Sequence, residues 1–189
     1  MDKAHLRKIY LQKRKALTHS QQLKLDDLLL IQFQRLAFEN IQYLMSYWPL
    51  ELHHEPNTHL FTKYLQYIWP AIQIAYPKSD FTQHRMEATL TDEDTDFQVN
   101  NWQIMEPVNG IVLAPEKLDL VFVPMVICDN TGHRVGYGKG FYDRFLARCR
   151  PDVLKIGWSY FPPVESITGV HEFDLPLDYC ITPDQIYAF

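Results

Sequence analysis

Apolar and polar positions run along this chain in two rhythms. Over residues 2–17, Leu6, Tyr10, Lys13 and Leu17 recur at the spacing of one helix face, with Lys13 contributing its aliphatic stem. Lys3, Arg7 and Arg14 form a second stripe on the same predicted helix. Thr18 followed by Gln21 is a capping-box pair, and predicts a second helix to about residue 38. There Leu25, Leu28, Leu29, Ile31 and Phe33 supply more apolar surface than one face requires. Short apolar runs at 41–47, closed by Trp48-Pro49, and at 72–76, stopped by Pro77, each predict a strand. A helix capped by Asn57 or Thr58 and reaching about residue 68 lies between them. Residues 84–89 read as a strand antiparallel to its neighbour. Residues 118–123 read as a central buried strand, and 153–158 as the next. The acidic stretch 91–96 is solvated loop, 102–107 and the region of Pro162-Pro163 are irregular, and a last short strand falls near 185–189. This alternation predicts an α/β fold: a three-layer α/β/α sandwich with a mixed, mostly parallel central sheet, Rossmann-like, in a single domain of residues 1–189.

Composition narrows the picture. The 189 residues suit one domain, and 47% hydrophobic with 22% charged residues is ordinary for a globular protein. A formal charge of −5 does not recommend nucleic acid as a partner. Cys128, Cys149 and Cys180 are widely spaced, form no CxxC pair and imply no disulfide framework. The basic, amphipathic start has no apolar signal core, and no apolar stretch is long enough to cross a bilayer. The expectation is a cytoplasmic monomer with no membrane and no nucleic acid among its partners.

The glycines carry the chemistry. Four of the seven, Gly132, Gly136, Gly138 and Gly140, fall within residues 132–140, between the buried run 118–123 and a stretch with helical spacing at Phe141, Phe145 and Cys149. Strand, loop, glycine turn and helix in that order make an anion site, because backbone N–H groups converge there on phosphate oxygens. A Walker loop is excluded, since His133 and Gly140 stand where it needs Gly and Ser or Thr. The dinucleotide fingerprint fails on spacing. The alternative is a tight connection, for which one or two glycines would serve.

Lys139 in this turn can neutralise a phosphate as a point charge, and Arg134 can do the same with less force. Asp143 is either an acid favoured by the helix N-terminus or a Mg²⁺ ligand beside phosphate. Asp174 and Asp178 could complete a metal site or be solvated loop acids. Lys3, Arg7 and Arg14 could grip phosphates or form a solvated face. The eight histidines show no metal-ligand spacing, and His53-His54 reads as an exposed loop pair.

These pieces resemble the 5-formyltetrahydrofolate cyclo-ligase family. The resemblance rests on Val123-Pro124 leading to Asp129, then on Gly132-His-Arg134-Val-Gly-Tyr-Gly-Lys-Gly-Phe-Tyr-Asp143-Arg144. Supporting matches are Lys3 to Arg7, Tyr47-Trp48-Pro49 with Glu55 and Thr58, Pro77-Lys78, Trp102 with Glu106-Pro107, and residues 174–182. The resemblance implies an ATP- and Mg²⁺-dependent cyclisation of a reduced folate, 5-formyltetrahydrofolate, to 5,10-methenyltetrahydrofolate. By the same resemblance Lys3 and Arg7 would bind ATP, and Arg134, Gly136, Tyr137, Gly138, Lys139, Gly140, Phe141 and Tyr142 would wrap its phosphates. Lys139 would contact the transferred phosphoryl group and, with Arg134, act in catalysis. Asp143 and Asp174 would hold Mg²⁺. Glu55 would bind the pterin's donor edge and Trp48 would pack against the folate, with Tyr137, Gly138, Gly140 and Phe141 nearby. The chain departs from the family pattern at Phe173, where His is frequent, at residues 160–163, at Met125, and in extra residues 51–54. Two competing readings are a relative that binds nucleotide or folate without turnover, and nucleic-acid binding through the basic first helix.

Overall fold

A computed structural model describes residues 1–189. Its helices are α1 (Lys3–Lys15), α2 (His19–Phe33), α3 (Thr58–Ile68) and α4 (Phe141–Leu146). Its strands are β1 (Tyr43–Met45), β2 (Gln73–Asp80), β3 (Arg85–Thr91), β4 (Phe97–Val99), β5 (Met105–Pro107), β6 (Ile111–Leu113) and β7 (Leu120–Phe122). They continue with β8 (Ile127–Cys128), β9 (Arg134–Val135), β10 (Leu154–Trp158), β11 (Tyr179–Ile181) and β12 (Ile186–Ala188). Eight strands form one sheet in the order β12-β11-β10-β7-β1-β2-β3-β6. The five from β11 to β2 are parallel, and antiparallel strands extend both edges. The mixed, mostly parallel sheet read from the sequence is thus observed. The chain goes outward from β1 to β2, then returns across β1 to β7, so the sheet's switch point lies between β1 and β7.

The parallel strands are buried on both faces because their residues alternate between two cores. Leu44, Ile74, Leu120, Phe122, Ile156, Trp158 and Ile181 face Leu29 and Phe33 of α2 and Phe61 and Leu65 of α3. Trp158 stacks on Phe61, with ring centroids 4.6 Å apart. Met45, Ala75, Val121, Val123 and Cys180 face the other way, against Phe145 and Leu146 of α4. Helix α1 joins neither layer. Its Leu6 packs with Val126, Ile127, Val135 and Ile167, clamping α1 to the β8–β9 ribbon.

The predicted capping box is present: Thr18 Oγ1 accepts from the Gln21 N–H and the Gln21 side chain accepts from the Thr18 N–H. Several boundaries differ. Helix α2 ends at Phe33 rather than near residue 38, and α4 is only six residues long. Pro77 does not stop its strand: β2 runs on to Asp80, paired with β3. Gln73 and Ala75 bond toward β1, so the missing N–H of Pro77 points to the same side, past the end of β1. Residues 102–107 are not wholly irregular, since β5 pairs with β4. Strand β11 was not foreseen, and its three residues are too few to show a period.

Asp26 of α2 is buried, accepting from Tyr160 Oη at 2.8 Å and from the Asn57 N–H at 3.2 Å. Burial raises its carboxyl from 3.8 to about 6 despite these donors. The folded chain therefore keeps a proton, between about pH 4 and 6, that the unfolded chain has released. Stability should fall as pH rises through that window, by roughly 2–3 kcal/mol, and the deficit should persist above it. Asp26→Asn should keep both acceptor contacts and flatten this dependence in urea denaturation at pH 4.5 and 7.5. An unchanged slope would reject the assignment.

Candidate active site

The carboxyl ends of β1, β2 and β7 open into a cavity of about 480 Å³. A switch point is where a doubly wound sheet leaves a crevice, because successive loops turn away to opposite sides. From β1 come Tyr47, Trp48 and Glu55; from β2, Pro77, Ser79 and Phe81; from beyond β7, Pro124. The β9–α4 connection adds residues 136–140, α4 adds Phe141, Tyr142 and Asp143, and α1 adds Lys3 and Arg7. The site residues implied by the family resemblance line this one cavity: Lys3, Arg7, Trp48, Glu55, Arg134, Gly136, Tyr137, Gly138, Lys139, Gly140, Phe141, Tyr142, Asp143 and Asp174.

One end of the cavity is cationic. Arg7 Nε donates to the Gly136 carbonyl at 2.7 Å and fixes the start of the glycine turn. Gly138 and Gly140 have φ of +87° and +67°, a left-handed backbone that L side chains rarely adopt, so glycine is needed at both. The short α4 offers little dipole, and the positive field here comes from side chains. Two cations are ion-paired: Lys3 Nζ to Asp174 Oδ2 at 2.5 Å, and the buried Arg134 Nη2 to Asp143 Oδ1 at 2.7 Å. Burial pushes the Asp174 carboxyl up, but Lys3 and the His171 N–H outweigh it and leave the group below its usual range. Arg7 and Lys139 have no carboxylate partner. Lys139 Nζ rests 4.4 Å from the ring centroid of Trp102, which stands against Phe81, with centroids 5.0 Å apart.

The other end is a carboxylate in an aromatic wall. Glu55 is buried; its Oε2 accepts from the Leu50 N–H at 2.7 Å and its Oε1 from Tyr137 Oη. Burial raises the Glu55 carboxyl, while Tyr137, Leu50 and the charge of Arg14 pull it back in part. Burial beside Glu55 also holds the Tyr137 phenol well above its ordinary value. His53 stacks on Tyr137, with centroids 5.0 Å apart, and Trp48 meets Phe97 at 5.2 Å. A buried acceptor beside aromatic faces suits a flat heterocycle with paired donors.

In three places the structure departs from the sequence pattern. His53 is not an exposed loop residue but lines the cavity, because Glu51–His53 form a 3-10 turn folded over Tyr137. Asp178 is not near Asp174's partners; it pairs with Lys155 at 2.8 Å and lies outside the cavity. Arg14 does not extend the Lys3–Arg7 stripe into the cavity, and is buried behind it. Phe81 and Ser79 were missed, since a strand expected to stop at Pro77 gives no reason to look beyond it.

No group of three or more His, Cys, Asp and Glu side chains forms a metal cluster. Asp143 and Asp174 both line the cavity, each paired with a cation, and Mg²⁺ commonly takes only one or two carboxylates and completes its shell with phosphate oxygens and water.

The model of the 5-formyltetrahydrofolate cyclo-ligase family matches residues 1–175. The chain belongs to this family. By sequence, the chain spans about half the length of the curated relatives it matches. The cyclo-ligase of Haemophilus influenzae is 35% identical over 101 residues, 51% of this chain and 54% of that protein. Similarity of fold extends further. The 5,10-methenyltetrahydrofolate synthetase of Aquifex aeolicus superposes with a TM-score of 0.82 at 29% identity, covering all of this chain and 93% of that one. The synthetase of Mycoplasma pneumoniae gives 0.76 at 25% identity, covering 96% and 98%. Against the cyclo-ligase pattern, the departure at Phe173 is an exposed ring next to Asp174, and residues 51–54 form the turn that brings His53 over Tyr137.

Gly138 tests the turn of this cyclo-ligase fold. An added Cβ meets only ordinary contacts, 3.5 Å from the Arg7 guanidinium, so the cost of Gly138→Ala is backbone strain. The variant should lose roughly 1–2 kcal/mol in urea denaturation and bind pyrophosphate more weakly. Unchanged stability would mean that the turn tolerates a side chain.

Proposed function

We propose that this protein catalyses the cyclisation of 5-formyltetrahydrofolate to 5,10-methenyltetrahydrofolate, using ATP and Mg²⁺ and releasing ADP and phosphate. The observation that carries the reading is the junction, in one cavity, of a cationic end built by Lys3, Arg7, Arg134 and Lys139 with an aromatic-walled carboxylate, Glu55. Family membership supports the folate and the reaction; the cationic end supports the nucleotide.

The chemistry is set by the substrate. A formyl group on nitrogen is a poor electrophile, and its oxygen is a poor leaving group. In this reading the formyl oxygen attacks the γ-phosphorus of ATP, the bond from that phosphorus to ADP breaks, and an N5-iminium phosphate forms. N10 attacks the formyl carbon and gives up its proton. The C–O bond then breaks to release phosphate, and the N5–CH–N10 cation remains. Lys139, free of any carboxylate, supplies positive charge to the transferred phosphoryl group. Glu55 orients the pterin through its donors, and Trp48 and Tyr137 cover its faces, so that the formyl oxygen is held in line with phosphorus. Asp143 and Asp174 would hold Mg²⁺, which when bound neutralises phosphate charge. One domain, residues 1–189, is assigned the whole reaction, as a cytoplasmic monomer acting on small molecules. In the structure itself, no helix is long and apolar enough to cross a membrane.

The test is the near-ultraviolet absorbance of the methenyl product in a mixture of protein, 5-formyltetrahydrofolate, ATP and Mg²⁺. A rise that disappears when ATP is omitted is expected. Its absence, with ATP still bound in a separate titration, would replace this reading with a binding protein that does not turn over. Lys139→Ala should lower kcat by roughly 10²–10³-fold with melting temperature unchanged, because its ammonium contacts only the exposed Trp102 ring.

A further inference from the structure

One buried cation has no part in the reaction so far. Arg14 lies on α1 in line with Lys3 and Arg7, yet its side chain is fully enclosed. Its Nη2 donates to the carbonyls of Met125 at 2.6 Å and Val126 at 2.9 Å. Its Nε and Nη1 are buried with no hydrogen-bond partner, and no carboxylate forms an ion pair with it. Placing a guanidinium in such surroundings is costly unless a countercharge lies close. Two carbonyls could be satisfied by a neutral donor, so they do not explain why the residue is charged.

Of the groups that feel this charge, four line one end of the cavity and the fifth, Tyr160, reaches the Glu55 carbonyl from behind it. They are Tyr47 beyond β1, His53 and Glu55 in the following turn, Tyr137 in the glycine connection, and Tyr160 after β10. The remaining charged and titratable neighbours are few. Tyr142 of α4 also faces Glu55, and Tyr160 Oη joins Asp26 Oδ1 at 2.8 Å to the Glu55 carbonyl at 3.4 Å. Asp26 adds negative charge on that side. Burial first, then Lys15 and Arg14, disfavours the protonated form of His53. Arg14 lies beside the Tyr137 hydroxyl, which donates to Glu55 Oε1, and its positive charge favours the ionised carboxylate there.

We infer that Arg14 is a positioning residue for folate recognition: held behind the cavity wall, its charge keeps Glu55 an ionised acceptor, with the Tyr137 hydroxyl bonded to it. The reason lies in the ligand. The donor edge of a pterin presents two N–H directions side by side, and an ionised carboxylate answers both, whereas a protonated one turns a donor toward them. Water cannot stabilise the anion here, and the bonds from Tyr137 and Leu50 come from neutral groups. A fixed cation that does not touch the ligand does so without occupying the site. The inference rests on the reading of Glu55 as the pterin's partner.

The test compares Arg14→Gln, Arg14→Lys, Glu55→Gln and the double variant Arg14→Gln/Glu55→Gln. Dissociation constants for 5-formyltetrahydrofolate and for ATP come from tryptophan fluorescence, and stability from urea denaturation. Arg14→Gln should weaken folate binding about tenfold, the scale on which an adjacent opposite charge biases a carboxyl group, and leave ATP binding within about twofold. Arg14→Lys should restore most of the folate affinity. In the Glu55→Gln background, Arg14→Gln should cost less than about threefold, because the charge it would stabilise is gone. An equal loss in both backgrounds, or none in either, overturns the inference and leaves Arg14 as a clamp on two carbonyls. If Arg14→Gln alone does not fold, a folded double variant supports the pairing of charges, and an unfolded one overturns it. Unaltered folate binding in Glu55→Gln would instead reject Glu55 as the pterin's partner, while the stability of the double variant would still report whether the two charges compensate.

Discussion

With both faces of the five parallel strands covered along their central residues, polar side chains leave the sheet mainly toward the strand ends. Leu120, Val121 and Phe122 in the central β7 are all fully buried, as are Leu44 and Met45 of β1. Most functional groups therefore come from the connections beyond the carboxyl ends, and the switch between β1 and β7 decides which of those connections meet. The β1 connection brings Trp48 and Glu55. The chain beyond β7 makes the β8–β9 ribbon, which carries Arg134 at one end and the glycine turn past the other. Helix α1 packs against this ribbon rather than a sheet face, and that displacement puts Arg7 over the turn and Lys3 beside Asp174.

Charge compensation sets the second limit. Glu55, Asp143, Asp174, Lys3, Arg134 and Arg14 are all removed from water to some degree, and each requires donors or an opposite charge. Lys3 meets Asp174 and Arg134 meets Asp143 directly. Glu55 relies on neutral donors close by and on Arg14 beyond them. The aromatic wall is what makes this necessary: Tyr47, Tyr137 and Tyr142 exclude the water that would otherwise solvate the carboxylate.

The sequence made much of this visible where one residue type answers one need. Gly138 and Gly140 mark a left-handed backbone, the run at 118–123 marks a strand buried on both faces, and Thr18 with Gln21 marks a helix start. Each is a local demand on a few adjacent residues. Long-range demands were less visible. The β4–β5 pair and β11 are three-residue strands whose existence depends on a partner distant in sequence. Pro77 reads as a strand end because its tolerance depends on where β1 stops. His53 looked exposed since nothing local shows that Tyr137, 84 positions later in the chain, will stack on it. Arg14 shares its stripe with Lys3 and Arg7, and only the packing of α1 on the ribbon separates a buried cation from two that line a cavity.

That separation sorts the cations by what an incoming phosphate must displace. Lys3 and Arg134 already neutralise carboxylates, and for either to turn to a phosphate would expose Asp174 or Asp143 as a repelling charge. Arg14 is out of reach. Arg7 keeps one donor on the Gly136 carbonyl, which leaves the rest of its guanidinium over Gly138. Lys139 is held only by the face of Trp102, a contact worth about 0.5–1 kcal/mol at an exposed ring and less than a lysine gains from phosphate in a partly enclosed site. The exposed indole thus parks the ammonium at the cavity mouth without competing for it. Of the charges gathered here, the one inside the glycine turn is the one most easily moved onto a ligand.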